Sequence, residues 1–249
     1  MNVHKPEYKL NKAIKRLNED LEIPKTNKKI ILDMVDYILA SGLSQARAVK
    51  YLYCLKGTSK IMGKEFTSIT KKDVTQFLIY INTTDKLQEW TKHDYLVLTR
   101  RLFQWIKKEL PIKSQETKDA IQQICDIKVK RAKSREKTPD HMLEPDEILK
   151  IADKATNSRN KAFVLAFYES MTRIGEFLPV KIKDVKFDQY GCQMFVSGKT
   201  GFRPIRLIAS QPAISNWLTN HPDRENPNGY LWCGIGRVNQ KEMLSYASA

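Results

Sequence analysis

Apolar residues recur along the first half of the chain at the spacing of an α-helix. Ile31, Met34, Val35, Ile38 and Leu39 share one stripe, which predicts a helix over 28–40 with Gly42 as its C-terminal stop. Ser44 opens a second helix that runs through Leu55 and stops at Gly57. Thr70 followed by Asp73, and Thr91 followed by Asp94, each have the form [ST]-x-x-[DE] ahead of an apolar run and predict two more helix starts. The second of these helices gathers Tyr95, Leu98, Leu102, Trp105 and Ile106 on one face. Arg100, Arg101, Lys107 and Lys108 fall largely outside that stripe. Pro111 ends it, and a further helix covers 117–127.

The pattern changes in the second half. Glu144 and Pro145 open a helix, 160–170 reads as a strongly apolar one, and 194–197 and 204–209 read as short strands joined through 198–201. Residues 211–220 return to helix, and 241–249 begin a last one. The fold class that follows is mainly α, a helical part followed by an α+β part with a small hairpin or sheet.

Between them lies a segment of another kind. Six of the ten residues over 128–137 are basic (Lys128, Lys130, Arg131, Lys133, Arg135, Lys137), with Glu136 the only acid and Pro139 just beyond. Such a run buries no apolar surface, so it divides the chain into a domain over 1–127, a linker over 128–142 and a domain over 143–249. The linker reads equally as a solvated tether or as a strap along a DNA backbone.

Charge sharpens the choice of partner. The 249 residues carry 43 Lys and Arg against 28 Asp and Glu, a formal charge of +15, which suits a polyanion. No stretch approaches the roughly 20 apolar residues that span a bilayer, and residues 1–20 lack the apolar core of a secretion signal. A soluble, cytoplasmic protein without a membrane partner is expected. Cys54, Cys125, Cys192 and Cys233 are scattered without C-x-x-C or His at ligand spacing, so they read as buried or idle thiols, with no metal site.

Candidate chemistry sits in two stretches. In the first, 170–178, an apolar helix leads into Arg173 at a turn, with Glu176 three residues on and on the same side of any helix that starts there. Taken alone this is an ordinary surface ion pair. In the second, 196–207, Lys199 stands at the tip of the hairpin, 26 positions after Arg173, with Arg203 and Arg206 following.

Together the two stretches resemble the tyrosine recombinase (integrase) family. That family has a T-G-x-R-x-x-E-x-x-x-L segment followed by a hairpin with a G-K-x-x-x-R-like turn. Upstream, 42–55, 70–74 and 91–105 resemble the helical, SAM-like core-binding domain of such proteins, particularly the archaeal type found on mobile elements. The resemblance implies DNA recombination or integration, in which a tyrosine attacks the scissile phosphate to leave a 3′-phosphotyrosine, with no metal or small-molecule cofactor. Arg173 would be the first phosphate clamp, Glu176 would support the site, and Lys199 would protonate the departing 5′-oxygen. Arg100, Arg101, Lys128, Lys130, Arg131, Lys133, Arg135, Arg203 and Arg206 would contact duplex DNA, the two domains closing on it as a clamp and assembling on it as a homo-oligomer.

The family's remaining residues are a downstream H-x-x-R helix, a further His or Trp, and the nucleophilic Tyr. His221 and Arg224 spell H-x-x-R, but Pro222 interrupts them and 225–229 is loop chemistry. Tyr246 lies in a segment resembling the helix that precedes the H-x-x-R helix, and reads as a packing residue. The catalytic domain is thus expected to be partial, which leaves open whether the chain is an enzyme. The alternative is a non-enzymatic DNA-binding regulator that competes with a full-length integrase.

Overall fold

The computed structural model describes residues 6–130, 142–198, 201–236 and 239–248. They fall into two compact units, 6–130 and 142–248.

The first unit is helical: α1 (Pro6–Asn18), α2 (Lys25–Ala40), α3 (Gln45–Met62), α4 (Lys71–Thr83), α5 (Glu89–Glu109) and α6 (Gln115–Cys125). The sequence signals at α2 and α4 act as expected. Gly42 takes φ +80 just past α2, and the Gly42 and Leu43 N–H groups donate to the carbonyls of Leu39 and Ile38, closing the helix end. Thr70 and Asp73 form a reciprocal capping box at α4. Helix α1 was not read from the sequence, although Leu10, Ala13 and Leu17 form its buried stripe.

Two boundaries differ from expectation for identifiable reasons. Helix α3 starts after Ser44 as expected but passes through Gly57 to Met62, where Gly63, at φ +62, ends it. Gly57 is there because the Tyr95 ring lies against its backbone, in the space a Cβ would fill. Helix α5 begins at Glu89 rather than at Thr91: the Thr91 and Lys92 N–H groups already donate to the Gln88 carbonyl, and Asp94 is bound to Lys50 of α3 (2.6 Å) instead of forming a cap.

Helix α3 packs against α1, α2 and α5, and α5 against α6. Two buried polar links fix this core. Thr58 and Thr99 share a hydroxyl hydrogen bond of 2.8 Å between α3 and α5. Asn27, fully buried, donates to Ser59 Oγ and to the Lys64 carbonyl and accepts from the Phe66 N–H, each at 2.8 Å. One amide thus joins α2 to the end of α3 and the loop beyond.

The second unit contains α7 (Pro145–Asp153), α8 (Ser158–Ser170), a single turn α9 (Ile174–Phe177), the antiparallel sheet β1 (Val185–Asp188), β2 (Gly191–Gly198) and β3 (Gly201–Leu207), and α10 (Gln211–Thr219). Strand order is β1-β2-β3, with Val196 opposite Arg203 and Met194 opposite Ile205. Period-two alternation turns Cys192, Met194 and Val196 into the core and leaves Phe202, Pro204 and Arg206 outside. The first strand was not anticipated, being only four residues long.

The last helix expected over 241–249 does not form in the described residues. Lys241 sits at φ 69, a conformation that no right-handed helix contains. The segment runs instead beside 232–234, where the Leu244 N–H donates to the Trp232 carbonyl (2.9 Å) and the Gly234 N–H to that of Glu242 (2.8 Å).

Glu169, near the end of α8, binds the connection between β3 and α10. Its carboxylate accepts from the backbone N–H groups of Ile208, Ala209 and Ser210 (2.7, 3.0 and 2.8 Å) and from Ser210 Oγ (2.5 Å). Burial alone would raise its pKa; these donors outweigh it and hold the carboxyl below its ordinary value of 4.5.

Two outcomes follow. Asn27→Ala leaves a buried N–H and two acceptors without partners and should cost about 2–3 kcal/mol in chemical denaturation; a loss below roughly 0.5 kcal/mol would remove the keystone role given to Asn27. Because the folded pKa of Glu169 is depressed, its stabilisation is complete above the unfolded value and lost as pH falls through the folded one. Glu169→Gln should therefore cost on the order of 1–2 kcal/mol at pH 7 and flatten the acid limb of the stability curve. An unchanged limb would show that other carboxylates set it.

Candidate functional site

The turn that carries Arg173 is built from both sides. Helix α8 ends at Ser170, and Met171 follows in the left-handed region at φ 47, ψ 29, reversing the chain while its side chain stays 78% exposed. Ser170 and Thr172 share a hydroxyl hydrogen bond of 2.9 Å across the reversal. Arg173 then takes an extended conformation at the head of α9, and its carbonyl accepts from the Glu176 and Phe177 N–H groups. Phe177 anchors the turn, with its ring stacked on Trp232 (4.8 Å, 21°) and met edge-on by Phe163 (5.2 Å, 84°).

With Phe177 turned into the core, Glu176 lies beneath the surface at 6% side-chain exposure while Arg173 remains 74% exposed. Arg173 Nη1 donates to Glu176 Oε1 at 2.9 Å. The second oxygen, Oε2, accepts from Arg203 Nη2 at 2.7 Å, reaching across from β3. Gly198 closes another side: a Cβ on it would fall onto the Glu176 carboxyl, so only glycine lets β2 approach this closely. Arg203, and then Arg173, hold the Glu176 carboxyl below its usual value.

The structure therefore unites Arg173, Glu176 and Arg203, drawn from a turn and a strand. Arg206, expected beside Arg203, points to the opposite face of β3 and bonds both oxygens of Asp188 (2.6 and 2.7 Å). In the other unit, Arg100 donates to the Ile127 carbonyl (3.0 Å), tying the tail of α6 to α5, and Arg101 donates to the Tyr51 hydroxyl (3.0 Å). Lys128 and Lys130 are exposed. Lys199, Arg131, Lys133, Arg135 and Lys137 lie outside the described residues.

His221 is buried, with Nδ1 accepting from the Asp223 N–H and Nε2 facing the Tyr230 carbonyl, each at 3.0 Å. That assigns the proton to Nε2, and burial lowers the pKa of the ring. Arg224 lies on the surface beside Glu225. Tyr246, expected to pack, is 57% exposed instead; Leu244 is the residue of that segment that joins the core.

Cys54, Cys192 and Cys233 are buried and Cys125 half-buried, all as free thiols. Burial pushes Cys54 and Cys192 up to about 11, which keeps them protonated and inert. Among the described residues no three His, Cys, Asp or Glu side chains are grouped to hold a metal ion, and no helix is long and apolar enough to cross a membrane.

Met171 offers a direct test of the turn. In the T-G-x-R pattern it stands where the motif has glycine, and it adopts the left-handed conformation that glycine takes without strain. Met171→Gly should stabilise the chain by about 0.5–1 kcal/mol in thermal or chemical unfolding, whereas Met171→Ala should not. Equal effects of the two would mean that the turn stores no such strain.

No family model matches the sequence, and no curated protein does. Solved structures do match. The XerH site-specific recombinase bound to palindromic difH substrate, in a post-cleavage complex, aligns with a TM-score of 0.58 and 18% identity over 99% of this chain and 76% of that one. Its pre-cleavage complex with difH gives 0.58 and 18% over 97% and 73%. The integrase of mycobacterium phage Brujita gives 0.34 and 17% over 87% and 68%. A helical unit, a three-stranded antiparallel unit, an arginine turn and a glycine-ended hairpin thus come together in a chain that has the fold of the site-specific tyrosine recombinases.

Proposed function

We propose that this chain binds duplex DNA as a site-specific recombinase or integrase does, with Arg173 meeting a backbone phosphate. The observation that carries the reading is the arrangement at Glu176. A buried carboxylate holds an exposed guanidinium at a turn, in a fold shared with a recombinase solved on its DNA substrate. A guanidinium fork matches two phosphate oxygens, and Arg173 spends only one nitrogen on Glu176. The formal charge of +15 supplies the wider attraction, and Lys128 and Lys130 add exposed cations at the end of the helical unit.

In this reading the chain contacts DNA through both its domains, 1–127 and 143–249. The chemistry of strand transfer would use Arg173 as phosphate clamp and Lys199 as proton donor. A second reading, occupation of a recombination site without strand transfer, is favoured by the placement of two residues. His221 has both ring nitrogens committed to the protein backbone, so it is not poised for proton transfer. Tyr246 lies outside any helix that would aim it at a phosphate.

One measurement tests the DNA reading and a second separates its two forms. Duplex binding should fall steeply with salt, on the order of 10³-fold between 50 and 200 mM if about six phosphates are neutralised; affinity indifferent to salt would end the DNA reading. Incubation with a nicked suicide substrate and denaturing electrophoresis should give no protein-linked DNA. A covalent band that disappears in Tyr246→Phe would identify Tyr246 as the nucleophile and favour the strand-transfer reading over site occupation.

A further inference from the structure

We propose that Arg203 is a positioning residue that keeps Arg173 available to an anion by occupying the second oxygen of Glu176. The inference rests on the reading of Arg173 as a phosphate contact and assigns to a strand residue the control of that contact.

A carboxylate and an arginine left to themselves favour the two-pronged fork, in which two nitrogens meet two oxygens. Arg173 and Glu176 do not form it. Arg173 makes one bond, Nη1 to Oε1 at 2.9 Å, because Oε2 is already taken by Arg203 Nη2 at 2.7 Å. The remaining N–H groups of Arg173, which stays 74% exposed, are left toward solution. Arg203 faces the other way. Its residue position on β3 turns inward, opposite Val196, and its Nη1 atom is enclosed by protein without a hydrogen-bond partner. Although 40% of its side chain is exposed, Arg203 spends Nη2 on Glu176 and has Nη1 enclosed, so its guanidinium acts first on the carboxylate.

Charge shows what its removal does. Two guanidinium groups and one carboxylate leave the trio at +1, a cationic site. Without Arg203 the carboxylate is buried beneath Gly198 with one oxygen unpaired, an arrangement costly enough to recruit the nearest cation. Among the described residues that cation is Arg173, three residues away on the same turn. Closing into the full fork, Arg173 is neutralised and its donors are lost to an incoming phosphate. The site falls from +1 to zero without any change at Arg173 itself.

The test compares affinities for one DNA duplex at a fixed, moderate salt concentration. Arg173→Ala sets the value of the contact and should weaken binding about tenfold. Arg203→Met should weaken it as much, although it leaves Arg173 in place, and Arg203→Lys should retain most of the affinity. The deciding variant is Arg203→Met with Glu176→Gln. Removing the carboxylate charge releases Arg173, so the double variant should recover to within about threefold of the unsubstituted chain despite its missing arginine. A double variant as weak as Arg203→Met alone overturns the proposal, and so does a recovery in which the Arg173 guanidinium rotates at the same rate in the single and double variants by ¹⁵N NMR, since charge restoration alone would then account for it. So does an Arg203→Met chain that binds normally. Should Arg203→Met fail to fold, Glu176→Gln alone decides: binding at least as tight as the parent is expected, and weaker binding overturns the idea.

Failure of the DNA reading looks different. In that case Arg173→Ala binds the duplex like the parent, and the positioning role is judged on the free protein by ¹⁵N NMR of the arginine side chains. Rotation of the Arg173 guanidinium about its Nε–Cζ bond should slow in Arg203→Met and speed up again with Glu176→Gln added; identical rates in all three chains overturn the proposal.

Discussion

The second unit is organised around one buried negative charge. Glu176 lies under the surface, and a carboxylate in that position persists only if cations and hydrogen bonds replace the water it has lost. Arg173 and Arg203 do so from two separate elements, and in doing so they join the turn after α8 to the third strand of the sheet. Gly198 exists to let β2 close over the same carboxyl. On the core side, the stack of Phe177 on Trp232 sets the depth at which Glu176 sits, so the aromatic cluster determines how far Arg173 projects. The geometry offered to a ligand is thus a consequence of packing three residues below the surface.

Basic charge is unevenly available for a polyanion. In the helical unit, Asp20 bridges Lys56 and Lys60 (2.7 and 2.8 Å), Asp73 holds Lys64 (2.9 Å) and Asp94 holds Lys50 (2.6 Å). These lysines join helices and loops to one another, and Arg100 does the same through the Ile127 carbonyl. On the sheet, Asp188 takes Arg206. The 43 Lys and Arg counted in the sequence therefore overstate how many cations are uncommitted, which gives extra weight to those, such as Arg173, that keep donors toward solution.

The helices of the first unit were legible because a 3.6-residue apolar stripe and its caps are local properties, as at α2 with Gly42 and α4 with Thr70 and Asp73. What escaped depended on partners distant in sequence. Gly57 has the chemistry of a helix stop, yet Tyr95 makes it a helix interior. Asp94 has the spacing of a cap, yet Lys50 claims it. The segment 239–248 has a helical composition, but its backbone groups pair with 232–234. At the site, Arg173 and Glu176 could be paired from their spacing, whereas the role of Arg203 required the strand register that turns it inward. Glu169, whose partners lie about forty residues away, left no trace beyond a charge at a helix end.

Under the proposed function Arg173, held by Glu176, meets a DNA phosphate. Arginine modification by phenylglyoxal, read out by mass spectrometry with and without a saturating duplex, tests it at the residue itself. Arg224, 63% exposed beside Glu225, serves as the internal reference. The duplex should protect Arg173 strongly and leave Arg224 reactive; Arg173 reacting equally fast in the presence and absence of bound DNA would rule out the phosphate contact.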